Sequence, residues 1–574
     1  MVENFELTEY IGADTETTGL DTNTCYAFCL GLCNLKGQTL FLDFRNNPEA
    51  VDTARHILNN SQPVFHNAKF DIKMLENIDI KIYSQVHDSL TAAFLLNEYQ
   101  TSFKLDSLAT KYLKEPKWNS EHFEAWKKIN KADIESHGYI NVPKEILTPY
   151  TLSDATQALK LFILFKGGLE KTGLMSQYFF EMEFINLIKD VERNGLKIDV
   201  EYGINKLEEF SKKLVSYKSL FKDGYQLENP DSPKQVQECF IRNGVIISST
   251  KKEVILTLVK NGNTFAKDLL VYRQLSKLVS GFINPILEAT DPNTRRVKTN
   301  FNTAVTKTGR LSSSNPINFQ NMPRPHEDEA DVRNTIRSMI ISENGNYLIG
   351  GDYDQEEMRI IADECKCEQL IQLFLDGTDD IYVQIAKLIW HIEEIDKQTR
   401  YVSKQSTLGT SFGMGAERFV RQAKQYGFDL DIEDAKEVIG IMRQRFPEIN
   451  AKLNELKYKT KMQGYVTDRF GKRYHVPPDF AYKALNAVIQ GTAAQVMKRG
   501  LIELQKNIAS YGNKFLILST VHDEVLCEVH ESISQEESWS VIKSSMEKIS
   551  ERFRVPIKMS PKFFEGNWAH AKKV

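Results

Sequence analysis

Three groups of acidic residues have the types and spacing that divalent-metal chemistry needs. Gly351-Asp352-Tyr353-Asp354-Gln355-Glu356-Glu357-Met358-Arg359 follows the apolar run Asn346-Tyr347-Leu348-Ile349, which places Asp352 at a strand end. His522-Asp523-Glu524 lies between Phe515-Leu516-Ile517-Leu518 and Val525-Leu526-Cys527-Glu528-Val529, and reads as the polar tip of an apolar hairpin. Two aspartates brought together from such sites are the minimum needed to hold two divalent cations about 3.5–4 Å apart for an in-line phosphoryl transfer. Near the start, Asp14 and Glu16 stand two apart in the strand-like run Tyr10 to Gly19 and project to one face. Asp71 follows a second short strand. Tyr150 and Asp154 are four apart in a segment that reads as helical through Phe165, which sets phenol and carboxylate side by side. Any one of these pairs is also what a solvated strand end or a helix cap looks like, so the reading rests on their number and order.

The elements that position these acids follow from the rest of the chain. At 574 residues the sequence is too long for one core and calls for three or four domains, with an ordinary 41% apolar and 26% charged composition. A net charge of −4 does not exclude nucleic acid, because metal-binding acids offset basic grooves. Seven cysteines argue for a reducing, cytoplasmic setting; Cys25, Cys29 and Cys33 recur every four residues without a fourth ligand and read as strand packing. Met1 to Tyr10 is acidic and lacks Arg, and no apolar run reaches the roughly 18 residues that span a bilayer, so neither leader nor membrane segment is expected. The polar stretch between Asp88 and Tyr150, broken by Pro116, Pro143 and Pro149, reads as loops and short helices, with Asp88 a candidate N-cap for the apolar Leu90 to Leu96. From Phe179 the periodicity turns to long helices, the first closed by Gly195, and lysine-rich helical sequence continues to about Leu287. Arg400, Lys404, Leu408 and Phe412 recur at intervals of four along one helix; a stripe that begins with two cations and ends apolar suits phosphates, then sugar and base.

GDYDQEEMR, the Arg400-Tyr401-Val402-Ser403-Lys404 and Leu408-Gly409-Thr410-Ser411-Phe412-Gly413 pair, and VHDE resemble the three polymerase motifs of the family A DNA polymerases, in family order. The likeness extends from the first acidic motif to Gly566-Asn567-Trp568. It implies an α/β multidomain chain: a ribonuclease H-like exonuclease domain over 1–172, then a right-hand polymerase. The polymerase would comprise a helical thumb over 173–300, a palm with an antiparallel sheet over 301–372 and 481–574, and helical fingers over 373–480. Asp14, Glu16, Asp71 and Asp154 with Tyr150 resemble a DEDD-type 3′–5′ exonuclease site. Asp352, Asp523 and the carbonyl of Tyr353 would hold two Mg²⁺ ions, with Mn²⁺ as a substitute and Glu524 auxiliary. Arg400 and Lys404 would bind the triphosphate, Lys404 also protonating pyrophosphate, and Gln355 and Glu357 would line the nucleotide site. By the same resemblance Arg310, Asn318, Gln320, Asn486, Gln490 and His522 would touch DNA.

Several positions depart from the family pattern. Glu357 resembles the gate that excludes a 2′-hydroxyl, yet its usual tyrosine partner is Phe412 here, which has no hydroxyl to offer. Leu408 replaces an aromatic ring, Tyr482 an arginine, and Asp354 and Glu356 a Ser and an Ile. No inserted domain is evident between Gly195 and Arg310, so modest processivity is expected unless a partner supplies more; the chain opening directly on the exonuclease, with the departures above, makes a monomeric phage replicative enzyme the expectation. Its partners would be primer-template DNA, dNTPs and a possible helicase, single-strand binding protein or processivity factor. The alternatives are a nuclease whose polymerase half only binds DNA, a bacterial or organellar repair polymerase, and a non-catalytic scaffold. The two sets of metal acids, with Arg400 and Lys404, count against the first and last.

Overall fold

The computed structural model describes residues 5–115, 121–323, 331–377, 380–425, 428 and 430–572; Pro116 lies outside them. Contacts divide the chain into two compact units: Met1–Arg193 with Thr303–Arg310 and Tyr465–His475, and Asn194–Asn302 with Leu311–Gly464 and Val476–Val574.

The first unit is built on a five-stranded sheet of β1 (Tyr10–Thr17), β2 (Ala27–Asn34), β3 (Thr39–Asp43), β4 (Gln62–Phe65) and β5 (His87–Asp88), in the order β3-β2-β1-β4-β5. β1, β2 and β3 run antiparallel, while β4 is parallel to β1 and β5 to β4. β2 is buried along its whole length, and Cys29 and Cys33 are free thiols within that packing. The helix Lys144–Thr172 approaches β1 and β2 so closely that a Cβ on Gly12 would sit 2.2 Å from the Ala155 carbonyl oxygen, and one on Gly31 2.8 Å from that of Thr151. Only glycine admits that approach, which brings Tyr150 and Asp154 to the strand that carries Asp14 and Glu16.

This helix begins before Tyr150 and ends beyond the expected Phe165, with Pro143 at its N-cap and Pro149 inside it; the prolines do not break the segment up to Tyr150 into loops alone. Short helices at Glu121–Ile129 and Lys131–His137 precede it. Asp88 caps the helix Ser89–Leu96 through the amide of Leu90. The unit also extends past residue 172. The helix Met175–Asn194 lays Tyr178, Met182 and Ile185 into the same core as Ile11, Val64 and Phe162, and Gly195 ends it at φ +60°. The hairpin Tyr465–Thr467 and Arg473–His475, expected in the fingers, joins this unit. His475 bonds Glu98, Lys472 reaches buried Glu181, and Arg473 donates to the Thr172 carbonyl.

The second unit centres on an antiparallel five-stranded sheet, in the order Phe515–Val521, Glu524–His530, Asn346–Tyr353, Met559–Phe564 and Ala571–Lys572. In its register Asp352 stands opposite Glu524 on one side and Ser560 on the other, and Gly350 stands opposite Lys562. Leu348, Leu518, Leu526 and Trp568 pack with Ile336 and Met339 beneath it. Helices Val200–Tyr225 and Thr264–Leu278 enclose a separate core of Phe221, Phe240, Phe265 and Tyr272. Ile381–Trp390, Lys397–Ser411, Ala416–Gln425, Ile432–Arg445 and Pro447–Gln463 form a further helical layer. Among the described residues no helix is long and apolar enough to cross a membrane.

Candidate active sites

In the first unit, Asp14 and Glu16 lie on β1 with one residue between them, and the acids Asp71, Asp154 and Glu16 all act on Asp14. Burial, then the charges of Glu16, Asp154 and Asp71, push the Asp14 carboxyl well above the usual range. Asp71 is buried and pushed up to about 7, although Thr15 moderates the shift by donating its hydroxyl (2.6 Å) and its amide (3.2 Å). Glu16 accepts from the hydroxyl of Thr151, the residue next to Tyr150 on the long helix, at 3.0 Å. The Tyr150 ring stacks on Phe123 at 4.5 Å; burial and the charges of Asp154, Glu16 and Asp14 hold its phenol protonated far above the ordinary range. All five predicted residues therefore converge. The result is a dense knot of carboxylates beside a fixed O–H donor.

In the second unit, Asp352 is the penultimate residue of the central strand. Asp523 sits in the two-residue turn before Glu524, with His522 at φ +57°, and the Asp523 carbonyl accepts from the Tyr353 amide at 3.0 Å. Burial and the Asp523 charge push Asp352 up to about 6. Its Oδ1 is buried with no hydrogen-bond partner, while Oδ2 accepts from the Lys562 ammonium at 3.2 Å. Glu524 is differently held. Burial would raise it, but Arg337, with contacts of 3.2 and 3.0 Å, Lys562 and the Trp568 indole N–H at 3.0 Å hold it below its ordinary value. Arg337 itself lies 4.2 Å over the Trp568 ring. Arg337 and Lys562 belong to no motif read from the sequence, and Trp568 was read only as the end of the family likeness; their link to the acids exists only through strand register and sheet packing.

The predicted nucleotide stripe lies on the helix Lys397–Ser411, with Phe412 at its C-cap. Arg400, Lys404, Leu408 and Phe412 are all half-exposed, whereas Thr399, Val402, Ser403, Ser406 and Thr407 on the opposite face are buried. Arg400 is ion-paired to Asp380, the N-cap of Ile381–Trp390, and both Arg400 and Lys404 lie over the Tyr382 ring, at 5.8 and 5.5 Å. Buried Tyr382 was not singled out in the sequence. Burial, then Glu357 and Asp380, keep its phenol protonated, and Arg400 and Asp523 also act on it, so this one side chain lies among groups from all three motifs. Gln355 uses its carbonyl oxygen to accept from the Ile381 amide at 2.9 Å, which fixes that helix start. Glu357 is half-exposed on the first turn of Glu356–Glu364.

The residues expected at DNA divide. Asn486 and Gln490 are half-exposed and one turn apart on Ala484–Ile508, His522 is exposed at its turn, and Arg310 is half-exposed in the segment grouped with the first unit. Gln320, in contrast, is buried: its amide donates to the Thr520 carbonyl at 2.5 Å and accepts from the His522 amide at 3.1 Å, bracketing the turn that carries Asp523. Asn318 caps the short helix Phe319–Asn321 and accepts from Ser313. The structure gives both amides partners within the fold.

Both acidic centres suit hard divalent cations. Crowded carboxylates raise one another, and the orphaned Asp352 oxygen has the chemistry of an oxygen ligand. Among the described residues no three His, Cys, Asp or Glu side chains close into a ready-made cage.

A model of a 3′–5′ exonuclease matches residues 1–168, and one of DNA polymerase family A matches 203–570. DNA polymerase I of Chloroflexus aurantiacus is 28% identical over 88% of this chain and 54% of its own length, and that of Borreliella burgdorferi 27% over 92% and 59%. The chain thus spans somewhat over half the length of these relatives. The fold is that of the polymerase domain of Pol1 from M. smegmatis, solved with DNA primer-template and dNTP: TM-score 0.85, 23% identity, covering 98% of this chain and 96% of that one. The acids of the second unit fall within the stretch matched by the polymerase model, and those of the first within the exonuclease match: the chain belongs to DNA polymerase family A and carries a 3′–5′ exonuclease domain ahead of its polymerase domain.

Proposed function

We propose that this chain is a template-directed DNA polymerase that extends a primer 3′-hydroxyl with dNTPs and removes misincorporated nucleotides through its 3′–5′ exonuclease. The observation that carries the reading is the presence of two separate carboxylate centres in one chain. One adjoins a helix whose half-exposed face begins Arg400, Lys404; the other adjoins a protonated phenol. When bound, two divalent cations at each centre would supply Lewis-acid activation of the attacking oxygen and neutralise phosphate charge, held by Asp352, Asp523 and the Tyr353 carbonyl in one and Asp14, Glu16, Asp71 and Asp154 in the other.

The remaining work falls to the chain's own groups. Arg400 exchanges Asp380 for the triphosphate oxygens, which its guanidinium fork can meet in bidentate fashion. Lys404 binds beside it and donates a proton to the departing pyrophosphate. Leu408 and Phe412 cover sugar and base, and Glu357 crowds a 2′-hydroxyl. Gln320 holds the Asp523 turn in place. Closure of the Lys397–Ser411 helix excludes water, so selection precedes chemistry. In the exonuclease, the Tyr150 O–H aligns the attacking water. Arg310, Asn486, Gln490 and His522 meet the DNA, where acceptors shared by every correct pair allow a geometric check without sequence reading.

Tyr482, Leu408, Phe412, Asp354 and Glu356 favour a phage replicative enzyme, monomeric and acting in the host cytoplasm with a helicase, single-strand binding protein or processivity factor. The assay is a labelled primer-template incubated with Mg²⁺, with and without dNTPs. Extension with dNTPs and 3′ shortening without them is the expected pair of results; shortening in both would mean that the polymerase half only binds DNA.

A further inference from the structure

The geometry points to Lys562 as a resident cation at the polymerase acids, one that has to be displaced when a divalent ion loads, so that metal binding there is an exchange of an ammonium for a metal. This inference rests on the metal reading proposed above. Asp352, Glu524 and Lys562 come from three adjacent strands, and the register turns all three side chains to one face of the sheet. The ammonium lies 3.2 Å from Asp352 Oδ2 and 3.4 Å from Glu524 Oε1.

The two contacts differ in what they contribute. Glu524 already has Arg337 and the Trp568 N–H, both buried and stacked on each other, so Lys562 adds little that it lacks. For Asp352 the Lys562 ammonium is the side-chain donor, and the other carboxylate oxygen remains orphaned. Arg337 is fixed by burial, whereas Lys562 is partly exposed and hangs on a flexible four-carbon stem, which lets it swing away. In the metal-free protein it offsets the repulsion between Asp352, Asp523 and Glu524. Once a divalent ion reaches Asp352, the same ammonium becomes a like charge at close range. Lys562 is a positioning residue in this account, acting through Asp352 on the metal.

The test is Mn²⁺ binding to the DNA-free full chain, read from the electron paramagnetic resonance of free Mn²⁺, in an Asp14→Ala background that disables the exonuclease centre. Lys562→Met and Lys562→Gln are both measured, with Lys562→Arg as the charge-retaining control and Asp352→Asn to identify the polymerase site. Removing one positive charge next to a partly exposed ligand should tighten Mn²⁺ binding by about tenfold in both neutral variants, while the arginine variant stays within about twofold of the parent. Unchanged or weaker affinity in both neutral variants would overturn the exchange, since a merely structural lysine would loosen the site when removed. A parent with no Mn²⁺ binding sensitive to Asp352→Asn would instead overturn the metal reading, and the exchange with it.

Discussion

The two carboxylate centres handle the same electrostatic problem in different ways. In the exonuclease unit the groups that act on Asp14 are other acids, and the polar support is uncharged: Thr15 donates to Asp71 and Thr151 to Glu16. In the polymerase unit Asp352 is met by Lys562, and its neighbour Glu524 is clamped by Arg337 and Trp568. The first centre accordingly holds protons in place of cations until metal arrives, while the second holds part of its charge balance in the protein. Proton-balanced and lysine-balanced sites should respond differently to pH, to metal and to the loss of a single side chain.

The widest separation is expected from removing one acid at each centre. Asp523→Ala should reduce primer extension by at least about 10²–10³-fold, the scale of losing one preorganised electrostatic group, while leaving 3′–5′ digestion intact; Asp14→Ala should do the reverse. Parallel loss of both activities in either variant would collapse the distinction. Next in size is Gln320→Leu. The amide ties the Asp523 turn to Thr520 and His522, so extension should fall about 10–100-fold, as for a residue that orients a ligand, with digestion unchanged.

The pH response sharpens the comparison further. A carboxyl whose folded pKa exceeds its unfolded value contributes stability that is fully present below about pH 4 and is lost as the pH rises through the folded value. Asp71 reaches about 7 and Asp352 about 6, so the metal-free protein should melt a few degrees lower at pH 8 than at pH 5. Saturating Mg²⁺ should remove most of that slope, and Asp71→Asn should flatten it without metal. A melting temperature that rises over this range would show that the buried acids are not protonated. The smallest effect is expected at the sugar: Leu408→Tyr supplies a hydroxyl and should raise dideoxynucleotide acceptance several-fold, the worth of about one hydrogen bond. Unchanged discrimination would mean that Leu408 does not touch the ribose.

Much of this was legible in the sequence because its signals are local. Strand alternation put Asp14 and Glu16 on one face, helical spacing did the same for Tyr150 with Asp154, and the apolar flanks of His522-Asp523-Glu524 announced a hairpin. What stayed hidden was set by register and remote packing. Lys562 reaches Asp352 only because their strands pair, Arg337 and Trp568 meet at Glu524 from distant parts of the polymerase sequence, and Tyr382 lies under Arg400 and Lys404 from a different helix. Gln320 read as a groove amide because type and position cannot reveal that both its ends are engaged within the fold. The extent of the first unit was hidden for the same reason. Tyr178 and Met182 look like ordinary helix periodicity until their core is known, and nothing around Glu98 signals the pairing with His475.

The central claim is that Asp352 and Asp523 together bind the divalent ions on which nucleotide addition depends. Crystals of the chain with primer-template and a non-hydrolysable dNTP, soaked in Mn²⁺ and measured at the manganese absorption edge, test it most directly. The account predicts anomalous peaks bonded to carboxylate oxygens of both aspartates and to the triphosphate, with the Lys562 ammonium moved away from Asp352. Peaks that leave either aspartate uncoordinated, or no peak at this end of the sheet with the nucleotide in place, would contradict it.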